Sequence, residues 1–467
     1  MKSAGKNHPW ERIYIRRDEI RGGESSLGEE FNPHRDEISI AEGPRVQFHN
    51  DGNQESPFED DRQWGNDSMN SYKKIRLMLV GTGGYAQFYL ETLSRPELLR
   101  KAEFVCAVDP FMSAETKSAL EEKGVRTFAD MQKAYDEMGP MDLTFCVTPL
   151  PYHLENIRTA VRNGSHVLCE KPAAPVLEQL EPMIALEKTS GKGIAIGFQW
   201  SFAPAMLACK RDILNGKFGK PRYARALVLW PRPESYFRRG TGWGGRRYGR
   251  DGMIINDSVA SNATAHYLHN LYFMLGDAMN TSAMPAELEA SIGRANNIEN
   301  YDTVSIKAKL ENGAEILYLA SHAVKHTQNP MVEFHFEKAV VSYDCDTNCL
   351  TARCADGSVV EYGQVDSSVD TKVHTVVDAV REGDWSRVPC LPSTTRPHVY
   401  TVDTLFHHAE IVSFPQEMIG VYEPDDLEKR GVFVRGLEEE LHKAYEANQP
   451  VDFLETTTKR SLKTALS

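Results

Sequence analysis

Gly81-Thr82-Gly83-Gly84-Tyr85-Ala86 follows the apolar run Leu77-Met78-Leu79-Val80 and opens a helical pattern. Gly81 permits a tight turn. Gly83 has no Cβ, so a pyrophosphate can approach the backbone, and Ala86 is small enough for helix and strand to pack closely. The helix start adds free N–H groups and a positive dipole end. These six residues are therefore the expected phosphate cradle of a dinucleotide. Asp109 closes the next apolar run, Phe104-Val105-Cys106-Ala107-Val108. Its carboxylate can accept both adenosine ribose hydroxyls and would repel a 2′-phosphate, which favours NAD over NADP.

Three more segments carry groups that could react. Thr148-Pro149-Leu150-Pro151-Tyr152-His153 follows a strand end, where a doubly wound sheet binds its ligands. Thr148, Pro149 and His153 are thus expected to border the cofactor, against the alternative of a proline-stiffened turn with His153 starting a helix. Glu170-Lys171-Pro172 follows another strand. Pro172 keeps Lys171 out of helix, so Lys171 is expected to project into the cleft, where a cation can hold a substrate hydroxyl. Glu170 is expected to orient Lys171 or to contact ribose. Finally, Asn262, His266 and His269 fall at helical spacing, with Ser261 or Asn262 as the expected helix cap. Histidine carries protons near neutral pH. Core histidines with satisfied hydrogen bonds remain the alternative at both positions.

These groups need elements to hold them. Apolar runs at Ile75–Val80, Phe104–Val108, Val125–Phe128, Leu143–Val147, His166–Cys169 and Gly193–Phe198 alternate with helical patterns. That alternation predicts an α/β fold with an N-terminal Rossmann doubly wound parallel sheet over residues 73–198. After residue 198 the pattern changes to long strands with period-two alternation, from Arg222–Trp230 to Val340–Tyr343, and closing helices near His374–Arg381, Val399–Val412 and Leu437–Asn448. Residues 199–467 are therefore expected to form a second α/β domain with a large, mostly antiparallel open sheet. Residues 1–72 are a polar extension with one apolar cluster, Trp10, Ile13, Tyr14 and Ile15. It reads either as a flexible tail or as an arm that docks through that cluster.

The bulk numbers exclude some classes. With a net charge of −13 over 467 residues, a nucleic-acid partner is not expected. No run of about 18 apolar residues occurs, so no membrane span is expected. The start lacks an apolar signal core, which makes a cytoplasmic location the default. The eight cysteines include no C-x-x-C pair. Cys345, Cys349 and Cys354 lie in a hairpin-like stretch without histidine, so no metal site is expected.

Gly81-x-Gly83-x-x-Ala86, Thr148-Pro149, Glu170-Lys171-Pro172, Gly197-Phe198-Gln199-Trp200 and a helix with His266 ten residues before Gly276 occur in that order. Over roughly residues 73 to 400 this resembles the glucose–fructose oxidoreductase and inositol dehydrogenase (Gfo/Idh/MocA) family. The resemblance implies that Lys171 stands near nicotinamide and substrate, and that His266 is the acid/base. It also implies that Gln199 borders the cofactor. Asn262 and His269 stand where many members carry aspartates and are expected to face substrate. So is the loop bearing Tyr236, Arg238, Arg239 and Trp243, whose aromatic faces and guanidinium groups suit a polyhydroxylated, even acidic, sugar. The implied activity is NAD-dependent hydride transfer at a secondary alcohol of a sugar, glycoside or cyclitol. Redox-neutral glycoside cleavage and a non-catalytic sensor are the alternatives. A homodimer or homotetramer through the second domain's sheet is implied by the same analogy.

Overall fold

Burial on both faces explains why the first-half strands read as continuous apolar runs. A computed structural model of the chain describes residues 74–238 and 242–455, together with the backbone of strand β1 (Ile15–Arg16). Strands β2 (Ile75–Val80), β3 (Ala102–Val108), β4 (Arg126–Phe128), β5 (Leu143–Cys146), β6 (His166–Cys169) and β7 (Ile194–Ile196) form one sheet. Its order is β4-β3-β2-β5-β6-β7 and every pairing is parallel. Chain order reverses between β2 and β5, so a crevice opens beyond their carboxyl ends. The glycine turn and Thr148 lie at those ends, and the turn at Lys171 lies at the end of the neighbouring β6.

The second sheet contains β8 (Pro221–Leu229), β9 (Pro285–Arg294), β10 (Thr303–Leu310), β11 (Glu315–Ser321), β12 (Gln328–Phe336), β13 (Ala339–Asp344), β14 (Cys349–Cys354), β15 (Val359–Gln364) and β16 (Ile411–Ser413). Its order is β1-β9-β10-β11-β8-β12-β13-β14-β15, with β16 also against β9. The β8–β11 and β9–β16 pairs are parallel and the others antiparallel. At the edge, Ile15 lies opposite Leu288. Trp10, Ile13 and Tyr14 lie outside the described residues.

One face of this sheet packs on helices Pro204–Leu214 and Ala265–Met274, burying Phe218, Leu268, Tyr272, Tyr318 and Phe334 in a common core. The other face is covered around β8 and β11 by the chain's own C-terminal segment. Leu227, Leu229, Leu317 and Leu319 are buried against Leu437, Leu441, Tyr445 and Phe453. A hairpin of β17 (Ile419–Tyr422) and β18 (Gly431–Val434) precedes that segment's helix, Leu437–Ala447.

Two helix expectations are corrected. The pattern near Val399–Val412 is a helix over Pro392–His408, and residues 411–413 are strand β16. Pro392 sits in the first turn, where a missing N–H costs nothing, so the helix starts earlier than the prolines suggest. The helix near His374–Arg381 runs over Val369–Glu382, reaching back far enough for Lys372 to join the other domain.

Candidate active site

The glycine turn is shaped by close backbone approach. Gly81 has φ of +89°, and a Cβ there would lie 2.3 Å from the Val147 carbonyl oxygen. No L side chain fits. At Gly83 a Cβ would meet no atom within 4 Å, so the space beside this backbone is open to a phosphate. Ala86 is fully buried and starts the helix Ala86–Leu93. Asp109 closes the turn from the side: its Oδ2 accepts from both N and Oγ1 of Thr82 at 2.8 Å, and its Oδ1 accepts from Phe111 N at 2.8 Å. The carboxylate therefore braces the turn. With two positions on each oxygen, Oδ2 is filled and Oδ1 keeps one for a ribose hydroxyl.

Lys171 leaves the end of β6 and reaches the second domain. Its Nζ donates to both the carbonyl and the Oδ1 of Asn262, each at 3.1 Å. Asn262 Nδ2 donates to Asp257 Oδ1 at 2.8 Å, and Asp257 Oδ2 accepts from Gly245 N at 2.6 Å. Asn262 thus spans a lysine and a buried aspartate. Sequence reasoning missed Asp257, whose place five residues before Asn262 carries no helical signal.

The expected cap at Ser261 or Asn262 is also corrected. Ser258 is the cap, in a reciprocal pair with Ser261, and a π-helical turn over Val259–Ala263 follows before the helix Ala265–Met274. An extra residue in the turn re-aims its side chains, and here Asn262 faces Lys171. His398, from the helix Pro392–His408, holds the turn from behind with Nε2 3.1 Å from the Ala260 carbonyl oxygen.

His266 is partly buried beside this group, edge-on to Phe198 at 5.6 Å, and its Nδ1 is buried without a hydrogen-bond partner. Burial first, then the positive charges of Lys171 and Lys372 and the neighbouring His269 and His398, pushes its pKa well below the usual histidine value. His266 is therefore held as the neutral imidazole, the form that a general base needs.

Other expected site residues stand elsewhere. His269 is 1% exposed, stacked on Phe198 at 4.0 Å with Nε2 3.0 Å from Ser201 Oγ. It is a core histidine, because the helix that carries it is buried from Leu268 through Met274. His153 is likewise closed to a ligand. Its Nδ1 lies 3.1 Å from the Pro172 carbonyl oxygen and its Nε2 2.9 Å from that of Thr148. It ties together the two turns expected to border the cofactor. Thr148 Oγ1 accepts from Asn156, and Pro149 is exposed at the start of a short helical turn. Glu170 does not face ribose; it is buried against Lys372, Tyr89 and the Lys171 backbone.

Gln199 donates to Tyr85 Oη at 2.5 Å and to the Ser367 carbonyl at 2.8 Å, joining the glycine turn to the second domain. Tyr236 packs over the Arg232 guanidinium at 4.7 Å and, with Gly245, Asp257 and His322, lines a small cavity. Arg238 is turned to solvent and paired with Glu234 at 3.5 Å. Trp243 is half-buried in the turn before Gly245. Arg239 lies outside the described residues.

Residues 75–198 match the model of an oxidoreductase family with an NAD-binding Rossmann fold, GFO_IDH_MocA. Those residues carry the NAD-binding Rossmann domain that this family model describes. Inositol 2-dehydrogenase of Rhizobium meliloti is 23% identical over 273 residues, 57% of this chain and 75% of that enzyme. 1,5-Anhydro-D-fructose reductase of Ensifer adhaerens is 31% identical over 140 residues, 29% of this chain and 38% of that enzyme. Among solved structures, the WlbA dehydrogenase of Bordetella pertussis, in complex with NADH and UDP-GlcNAcA, superposes with a TM-score of 0.55 at 22% identity, covering 71% of this chain and 94% of that one. The two-domain fold is therefore shared with that dehydrogenase. No helix among the described residues is long and apolar enough to cross a membrane.

Proposed function

We propose that the chain is an NAD-dependent oxidoreductase acting on a secondary alcohol of a sugar, glycoside or cyclitol. The observation that carries this reading is Lys171, fixed by Asn262, beside a neutral His266 at the strand edge where the glycine turn opens. The relatives support the substrate class, since one acts on inositol and a fold neighbour holds a nucleotide sugar.

NAD would lie along Gly81–Ala86 and Asp109, and when bound it supplies the hydride acceptor. His266 takes the substrate hydroxyl proton. Lys171 hydrogen-bonds the same oxygen and stabilises charge as it develops there. Asn262 keeps the ammonium aimed without adding a negative charge. Asp109 favours NAD over NADP by repelling a 2′-phosphate. Tyr236, beside the small cavity with Asp257 and His322, would stand against the sugar.

The test is incubation of the purified protein with NAD and a panel of sugars, glycosides, sugar acids and inositols, with mass spectrometry of the carbohydrate. A product lacking two hydrogens, matched by NADH, is expected. Cleaved product without net NADH would replace this reading with redox-neutral chemistry.

A further inference from the structure

Lys372 is 0% exposed, yet its Nζ is paired with a carboxylate. It comes from the helix Val369–Glu382, which follows β15 in the chain, and it ends against Glu170 at the end of β6 in the first domain. There Nζ pairs with Glu170 Oε1 and donates to the Gly197 carbonyl at 3.2 Å. Tyr89 Oη, from the helix behind the glycine turn, donates to the same Glu170 oxygen at 2.7 Å. The other Glu170 oxygen accepts the Lys171 backbone N–H at 3.0 Å. Rings of Tyr85 and Tyr89 lie 5.4 and 5.3 Å from the ammonium. A Cβ on Gly197 would come within 3.0 Å of Nζ and 3.1 Å of Glu170 Oε1, so the cluster leaves no slack.

Fully buried ion pairs are poor sources of stability, because desolvation offsets their attraction and apolar residues often replace them without loss. What such a pair does supply is direction. Four elements meet at Glu170: the end of β6, the residue after β7, the glycine-turn helix and the helix Val369–Glu382.

We infer that Lys372 is a positioning residue for the proposed reaction: it locks Glu170, and through Glu170 the backbone that aims Lys171. This rests on the oxidoreductase reading. Lys372 is also one of the groups that keep His266 uncharged. The others are Lys171 after β6, His269 on the same helix and His398 on the helix Pro392–His408, while Glu170 faces Lys372 with opposite charge. Removing the Lys372 charge therefore raises the pH at which His266 protonates.

The experiment compares Lys372→Met, Lys372→Arg and the uncharged pair Lys372→Met with Glu170→Gln. Each is checked by thermal unfolding, by fluorescence of bound NADH and by NMR titration of the His266 ring, identified through His266→Asn. Where a substrate is in hand, kcat and KM are added. In the double variant, which leaves no unpaired buried charge, folding and NADH binding are expected to persist. In that variant kcat should fall roughly tenfold or more with KM little changed, the signature of misplacement, while in Lys372→Met, which removes the positive charge alone, the His266 midpoint should move up. Lys372→Arg should recover part of kcat. A folded double variant with wild-type kcat overturns the proposal, as does a folded Lys372→Met with an unmoved His266 titration. So does unfolding of all three variants, which would make Lys372 purely structural. If the wild type oxidises no alcohol, the oxidoreductase reading fails on its own, while the His266 titration and NADH fluorescence still decide the role of Lys372.

Discussion

At the scale of single residues, Lys171 and Asp109 separate chemistry from cofactor binding. Lys171 touches Asn262 and lies beyond the phosphate cradle. Lys171→Met keeps the length and removes the ammonium, so turnover should fall by about 10²-fold or more while NADH affinity stays nearly intact. Fluorescence titration with NADH checks this, and lost NADH binding would move Lys171 out of the reacting group. Asp109 does two things at once, since the carboxylate that would meet ribose also clamps Thr82. Asp109→Ser is therefore expected to erode the preference for NAD over NADP by roughly tenfold, on the order of 1.4 kcal/mol, and to loosen the turn. Dissociation constants for both dinucleotides measure it; an unchanged ratio would mean that ribose is read elsewhere.

At the scale of elements, the π-helical turn Val259–Ala263 decides where Asn262 points. Ser258 and Ser261 cap each other's backbone N–H at its start, and His398 grips the Ala260 carbonyl. Ser258→Ala removes one acceptor and should cost about 1 kcal/mol of stability. Because the cap holds the element that holds Lys171, kcat should drop more than NADH affinity; equal losses in both would show that the turn does not aim the site. Much of this framework was legible in the chain. The glycine turn and Lys171 each sit within a few residues of an apolar run whose end marks the sheet's edge, and Asn262 stood out by its spacing to His266. Lys372 was hidden because it meets Glu170 across 202 residues, and a lysine on an amphipathic helix reads as a solvated one. His269 was misplaced because a helix buried all round has no polar face for spacing to reveal. The π-turn leaves no periodic mark, so neither Ser258 nor Asp257 could be read as site-supporting.

At the scale of the whole molecule, two features set how the fold responds to stress. Burial holds several histidines uncharged. His398 is lowered to about 4, and His266 and His269 are also depressed, while all three protonate near 6.5 when the chain is unfolded. The unfolded state therefore binds more protons below about 6.5, so the stability these groups contribute is complete above that pH and is lost as pH falls toward 4. Urea midpoints measured from pH 7.5 down to 5 should decline, and a flat series would contradict the burial. The second feature is the C-terminal cover on the large sheet. The analogy with related oxidoreductases led us to expect that chains associate through this sheet, but here Leu227, Leu229, Leu317 and Leu319 already have an apolar partner in the same chain. Leu441, fully buried against them, is the point to test. Leu441→Ala leaves a cavity and should cost about 2–5 kcal/mol. If the cover is what shields the face, the variant should also bind an apolar dye and sediment as larger species at temperatures where the wild type does not. NADH binding, which depends on the other sheet, should be unchanged at lower temperature. Loss of stability without any gain in association would instead mean that the segment contributes packing alone, and that the sheet beneath it is not adhesive when uncovered.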